Sequence, residues 1–171
     1  MSKLYPPDTH HLSAAEGWFE LGNPAEALRE LNQLSSKEQE RLEVLGLRWN
    51  ALAQLKSWED CICVSARILG LAPDNPFGWI HRSFALHELK RTQEARDLLL
   101  PAVEQFPGIA TIPYNLACYE CQLGNLETAW HWLEVCLRPK NSSGIIRQSL
   151  ADADLAALWP RIARLKELRK K

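Results

Sequence analysis

The sequence predicts an all-α fold of stacked antiparallel helix pairs, and three observations carry that prediction. Residues 76–109 hold two apolar stripes at helical spacing: Trp79, Ser83, Leu86 and Leu89, then Ala95, Leu98, Leu99, Ala102 and Val103. Between the stripes lies a turn, Lys90-Arg91-Thr92, and Pro107-Gly108 ends the second one. The same pattern recurs every 34 residues from residue 8 to residue 143 without an insertion. One pair of short helices cannot bury its own stripe, so the recurrence supplies the neighbours it needs.

Taken in order, the repeats run over about 8–41, 42–75, 76–109 and 110–143, and segments from 144 to 171 cap a single domain of residues 1–171. Leu21, Leu55, Leu89 and Leu123 each precede the mid-repeat turn. The turns are Gly22-Asn23, Lys56-Ser57, Lys90-Arg91 and Gly124-Asn125. Ala27, Cys61, Ala95 and Ala129 place a small residue early in every second helix, where two backbones approach closely. Leu31, Ser65, Leu99 and Leu133 follow, then Leu34, Ile68, Ala102 and Cys136. Tyr5-Pro6-Pro7 reads as an extended lead-in with Asp8 as N-cap, and Asn75-Pro76 as a cap with proline at the first helical position. Residues 139–144 read as a loop, 145–151 as a short helix, and Asp154 as the cap of another helix from about Leu155. Trp159-Pro160 is expected to break or kink that helix. It resumes over 161–170 with Ile162, Leu165 and Leu168 on one stripe.

These residues resemble the tetratricopeptide repeat family, whose repeat carries a Trp, a Leu-Gly, an aromatic, an Ala, a Phe-like residue and a closing Pro. The third repeat matches through Trp79, Leu86, Ala95, Leu99, Ala102 and Pro107, and the second through Trp49, Leu52, Trp58, Ile68 and 71–75. The fourth keeps Leu116-Ala117, Gly124-Asn125, Ala129 and Leu133; the first keeps Trp18, Leu21-Gly22, Ala27 and Leu31 but lacks the closing proline. Arg48 and Arg82 depart from a column that is usually leucine, and Trp49 fills one that is usually small. The resemblance covers about four fifths of the chain and implies a right-handed α-solenoid, the tetratricopeptide-like superhelix.

Composition narrows the function classes. The chain has 171 residues, 46% hydrophobic and 24% charged, with a net charge of −1 that gives no global attraction to nucleic acid or an anionic membrane. No apolar run reaches the ~20 residues of a membrane span, and the first residues lack a signal-peptide core. Five scattered cysteines fit a reducing compartment, so the chain reads as cytoplasmic. From Pro160 onward six basic residues face one acid, which reads as a solvated cap suited to a helix C-terminus and not as a binding element.

No Ser-His-Asp set, His-Glu-x-x-His or Gly-rich phosphate loop appears, and the chain reads as no enzyme, with no cofactor and no metal. Cys118-Tyr-Glu-Cys121 is a C-x-x-C, and a thiol-based redox or metal-binding role for this pair is the alternative function. It lies inside a helix without a second pair of ligands, so packing is favoured. His10-His11 reads as cap or solvent. The resemblance places a partner-binding groove on the first helices. Its expected residues are Leu12, Phe19, Asn50, Phe77, Ile80, Phe84, His87, Tyr114, Cys118, Cys121 and Gln122. Related positions hold Lys, Arg and Asn in family members that grip a terminal carboxylate, and here only Asn50 fits. The groove is otherwise apolar and aromatic, which predicts an adaptor, scaffold or chaperone-like module binding a protein or peptide. The competing expectation is that Phe77, Phe84 and Tyr114 are covered by the chain's own termini or by a second copy in a homo-oligomer.

Overall fold

A computed structural model describes residues 5–138 and 143–168. Among these residues every regular element is a helix, and the helices pack in adjacent pairs, so the fold class is all-α. The chain divides into two compact units, Met1–Ala85 and Leu86–Lys171. The first holds α1 (Asp8–Glu20), α2 (Pro24–Gln33), a 3₁₀ turn (Glu38–Glu40), α3 (Leu42–Gln54), α4 (Trp58–Leu71) and most of α5 (Pro76–Glu88). The second holds the end of α5, α6 (Thr92–Leu99), α7 (Ala102–Gln105), α8 (Thr111–Gln122), α9 (Leu126–Leu137), α10 (Ser143–Ala151), a 3₁₀ segment (Ala153–Leu158) and α11 (Trp159–Leu168).

The 34-residue register is visible in the backbone. Among the described residues, Gly22, Lys56, Lys90 and Gly124 are those with positive φ, at 74°, 57°, 63° and 83°. Each ends the first helix of a pair. At the first turn, Gly22 N–H donates to Phe19 O and Asn23 N–H to Trp18 O; at the last, Gly124 N–H donates to Cys121 O and Asn125 N–H to Glu120 O. Lys56-Ser57 and Lys90-Arg91 make the same two bonds. This paired 5→2 and 6→1 closure satisfies the orphan carbonyls and reverses the chain within three residues. The second helix then starts on a cap: Glu26 N–H donates to the Asn23 side chain, with Pro24 in the first turn.

Packing follows the same columns. Ala27, Cys61, Ala95 and Ala129 are fully buried, as are Leu31, Ser65, Leu99 and Leu133. The second helix of α3–α4 turns a hydroxyl inward at Ser65, which donates to Cys61 O at 2.6 Å and so meets the need of a buried polar group. Arg48, in its leucine column, donates to the Asn32 side chain and to Leu31 O near the end of α2. A guanidinium there satisfies a terminal carbonyl and complements the helix dipole.

Four local expectations change. The stripe from Ala95 to Val103 is two helices, because Pro101 has no N–H to continue the first. Pro160 does not break a helix: it stands in the first turn of α11, where its missing N–H is an orphan anyway. Asp152, rather than Asp154, caps the 3₁₀ segment, accepting from Asp154 N–H at 3.0 Å. Asp8 does not cap α1; its carboxylate accepts from the N–H and hydroxyl of Ser35. Residues 139–142 of the expected loop lie outside the described residues, while Ser143 and Gly144 already belong to α10.

The left-handed turns give a signed prediction. Lys56→Gly and Lys90→Gly should each stabilise the chain by about 0.5–1 kcal/mol, since they relieve a Cβ in that conformation. Gly78→Ala should cost about 1–3 kcal/mol, because its Cβ would meet the Leu69 backbone nitrogen at 2.9 Å. Urea denaturation midpoints check both signs.

Candidate partner-binding face

In the first unit, the expected groove residues divide between core and surface. Leu12 packs with Leu28 and Leu47 on the cluster of Ala15, Leu31, Leu34 and Val44. Phe77 packs on the cluster of Leu45, Trp49, Cys61, Val64, Ile68 and Ala85. Trp49 organises this second set. Phe77 and Phe84 meet its ring at 6.1 and 6.4 Å, tilted well away from parallel, and His81 meets it edge-on at 4.3 Å. Residues 77, 81 and 84 fall at helical spacing, so one face of α5 wraps the indole. His81 also stacks on Phe77 with ring centres 3.6 Å apart, and Phe84 leans on Trp58 at 5.7 Å. Phe77 therefore packs on this cluster while staying half-buried. Phe84 keeps 36% of its surface exposed, and Phe19, Asn50 and Ile80 are half-buried.

His81 is a residue that the sequence reading passed over. Burial lowers its pKa, outweighing the Phe77 carbonyl 3.0 Å from Nδ1. A neutral ring suits a stack between two aromatic groups. The signal was present as Phe77-x-x-x-His81-x-x-Phe84 opposite a Trp in a small-residue column.

In the second unit, the chain's own C-terminal segment covers the expected groove. His87, Tyr114, Cys118 and Cys121 are all buried, His87 to 4% and Tyr114 to 9% exposure. The Tyr114 hydroxyl donates to the Asp152 carboxylate at 2.9 Å, and the Cys118 thiol reaches the same oxygen at 3.7 Å. His87 Nε2 lies 3.0 Å from the Asp154 carboxylate, which can only accept, while Nδ1 lies 3.0 Å from the Thr92 hydroxyl. Gln122, exposed at the end of α8, donates to Asp154 O at 3.0 Å. Leu155 and Leu158 complete the contact as buried apolar anchors. Tyr114, Cys118, Cys121 and Gln122 share one stripe of α8 that holds residues 152–158, and of the four Gln122 alone stays exposed.

The tail beyond behaves as a cap. Ile162 is fully buried and Leu165 half-buried, while the Leu168 side chain lies outside the described residues. Arg161 pairs with Glu127 and lies 4.2 Å over the Trp130 ring.

The thiol chemistry runs opposite to that of a reactive pair. Burial, helped by the Asp152 carboxylate, pushes the Cys118 thiol far up, and burial also raises Cys121. Burial raises Cys61 to about 12 and Cys136 to about 11. Nucleophilic or metal-ligating cysteines need their thiolates stabilised, not suppressed. Tyr114 is likewise held protonated by burial and by its acceptor Asp152. Among the described residues no group of three or more His, Cys, Asp and Glu is placed to hold a metal ion. Nor is any described helix long and apolar enough to cross a membrane.

No protein-family model matches the chain, and no curated protein matches it in sequence. Solved structures do match. MamA 41-end from Desulfovibrio magneticus RS-1 is similar with a TM-score of 0.75 and 18% identity, over 99% of this chain and 100% of that one. A MamA RS-1 ArsTM double mutant gives 0.76 and 19%, over 98% and 89%. MamA MSR-1 C2 gives 0.66 and 17%, over 78% and 79%. The fold is tetratricopeptide-like. At these identities the likeness speaks to the fold alone.

Two measurements follow from the thiols. In the folded chain only Cys63, exposed on α4, should react quickly with an aromatic disulfide reagent, and all five thiols should react after unfolding; rapid reaction at Cys118 or Cys121 would contradict the burial described. Each raised group also binds its proton more tightly in the folded state than in the unfolded one. Stability should therefore hold below the ordinary thiol value of 9.0 and fall as pH rises through it. The loss is about 1.4 kcal/mol per pH unit per group. Urea midpoints between about pH 7 and 10.5 should show this slope, and Cys118→Ala should make it shallower.

Proposed function

We propose that the chain is a non-enzymatic protein-interaction module, an adaptor or scaffold that holds a segment of a partner protein on its first helices. The observation that supports this reading best is the grip of α8 on residues 152–158. Side chains at groove positions already recognise a stretch of polypeptide there, through three hydrogen bonds and two leucine anchors. Recognition of a short segment by a few anchors within a rigid helical scaffold is the work such surfaces do. The tetratricopeptide-like fold supports the same conclusion by analogy.

In this reading the first unit supplies the partner surface, at Phe19, Asn50, Ile80 and Phe84. These positions correspond in the 34-residue register to those that hold the segment in the second unit: Asn50 and Phe84 to Cys118, Phe19 to His87 and Cys121, Ile80 to Tyr114. Phe84, partly exposed on a Trp49–Trp58 base, is the kind of aromatic anchor that dominates interfaces. Five unpaired thiols support a cytoplasmic setting.

Photo-crosslinking in the native cell tests the proposal. A crosslinking residue at 19, 80 or 84 should capture the same partner protein, competed away by excess unlabelled chain, while one at Arg29 or Asp60 on the second helices should not. Ile80→Glu should weaken capture at least tenfold with the helical CD signal retained. Equal labelling from both sets of positions, or none from either, would sink the reading.

A further inference from the structure

The contact between α8 and the C-terminal segment is polar on both sides, and its two sides are unlike in build. On the receiving face, buried Tyr114 and His87 direct a hydroxyl and a ring N–H at the segment. Those donors leave water on burial, so any occupant must offer acceptors; an apolar occupant would strand them. On the segment side most side chains stay open to water. Ala153, Ala156 and Ala157 are exposed, the Asp154 side chain keeps 36% of its surface, and only Leu155 and Leu158 are buried. The segment is 3₁₀, a geometry with poorer hydrogen bonds than the α-helix it packs against. Both carboxylates are partly open to water and can be rehydrated if the segment lifts. The receiving face is thus lined by donors, and its occupant is a short segment with two carboxylates and two leucines.

We propose that residues 152–158 are a displaceable cover. The face beneath them accepts in their place a partner segment of the same chemistry: two carboxylates two residues apart on a tight turn, with leucine-sized residues one and four positions after the second. The inference rests on the interaction-module reading and names the partner chemistry of its second-unit face. The tether makes the chain's own segment a competitor at high effective concentration, so this face stays closed until a matching acidic segment outcompetes it. Hydrogen-bond complementarity selects the partner. Tyr114, His87 and Gln122 act as donors at the contact, so a segment rich in acceptors fits where a basic one leaves them unmet.

The test uses the full chain carrying Asp152→Ala and Asp154→Ala, with a fluorescein-labelled peptide of residues 150–160 as probe. Fluorescence anisotropy should show the peptide binding this variant at least tenfold more tightly than the unaltered chain. Replacing both aspartates of the peptide by asparagine should weaken binding at least tenfold. Equal binding of the two peptides, or no binding by a variant whose CD spectrum is unchanged, overturns the proposal. So does a dimer of the unaltered chain, by sedimentation, that the two substitutions abolish, since the occupant would then be a second copy. If the variant does not fold, hydrogen exchange on the unaltered chain decides. Amides of 153–158 exchanging at least tenfold faster than those of α8 support a displaceable cover, and exchange at the rate of α8 refutes it. Crosslinking at positions 19, 80 and 84 is independent of these outcomes, so a silent peptide leaves the interaction-module reading standing.

Discussion

A left-handed residue at positions 22, 56, 90 and 124 decides where each first helix stops and the chain turns back. Without it the helix would run on, and the small-residue column could not fold back against its neighbour. With it, four turns of the same geometry place Ala27, Cys61, Ala95 and Ala129 at equivalent buried sites. The constraint is strong enough that two of the four turns tolerate lysine, at an energetic cost that glycine avoids. What remains free is the choice of side chains on the first helices, and there the two units diverge.

In the first unit a large residue claims the face. Trp49 occupies a column suited to a small side chain, and α5 answers with Phe77, His81 and Phe84 around its ring. The aromatic character of that face is partly spent on internal packing, with Phe84 left half in water. In the second unit the face is spent on hydrogen bonds. Tyr114 and His87 turn inward to carboxylates that lie outside the repeat register, and the thiols between them stay protonated. The same backbone thus supports an aromatic surface in one unit and a donor-lined seat in the other.

Much of this was legible in the sequence, and the reason is periodicity. Repeats at 34 residues fixed the helix pairs, the turn positions and the buried columns, because each is a local, recurring demand on residue type. The site was half legible. The stripe of Tyr114, Cys118, Cys121 and Gln122 was visible, but its occupant was not. Asp152 lies 38 residues from Tyr114 and outside the register, and a hydrogen bond between two polar residues leaves no periodic trace. Asp154 read as a helix cap for the same reason that Asp8 did: an aspartate before an apolar stretch fits that role equally well. Trp49 carried a clue in its misfit to a small-residue column, since an indole there obliges the next helix to supply partners.

On the second-unit face, Tyr114 and His87 act as specific donors to the chain's own acidic segment. A double-mutant cycle between Tyr114→Phe and Asp152→Asn measures that most directly, by the urea stability of the four proteins. A favourable coupling energy of about 1–2 kcal/mol is predicted, since the hydroxyl and the carboxylate act as a pair. Additive effects, with no coupling beyond about 0.3 kcal/mol, would mean that the segment merely covers the face and is not recognised by it.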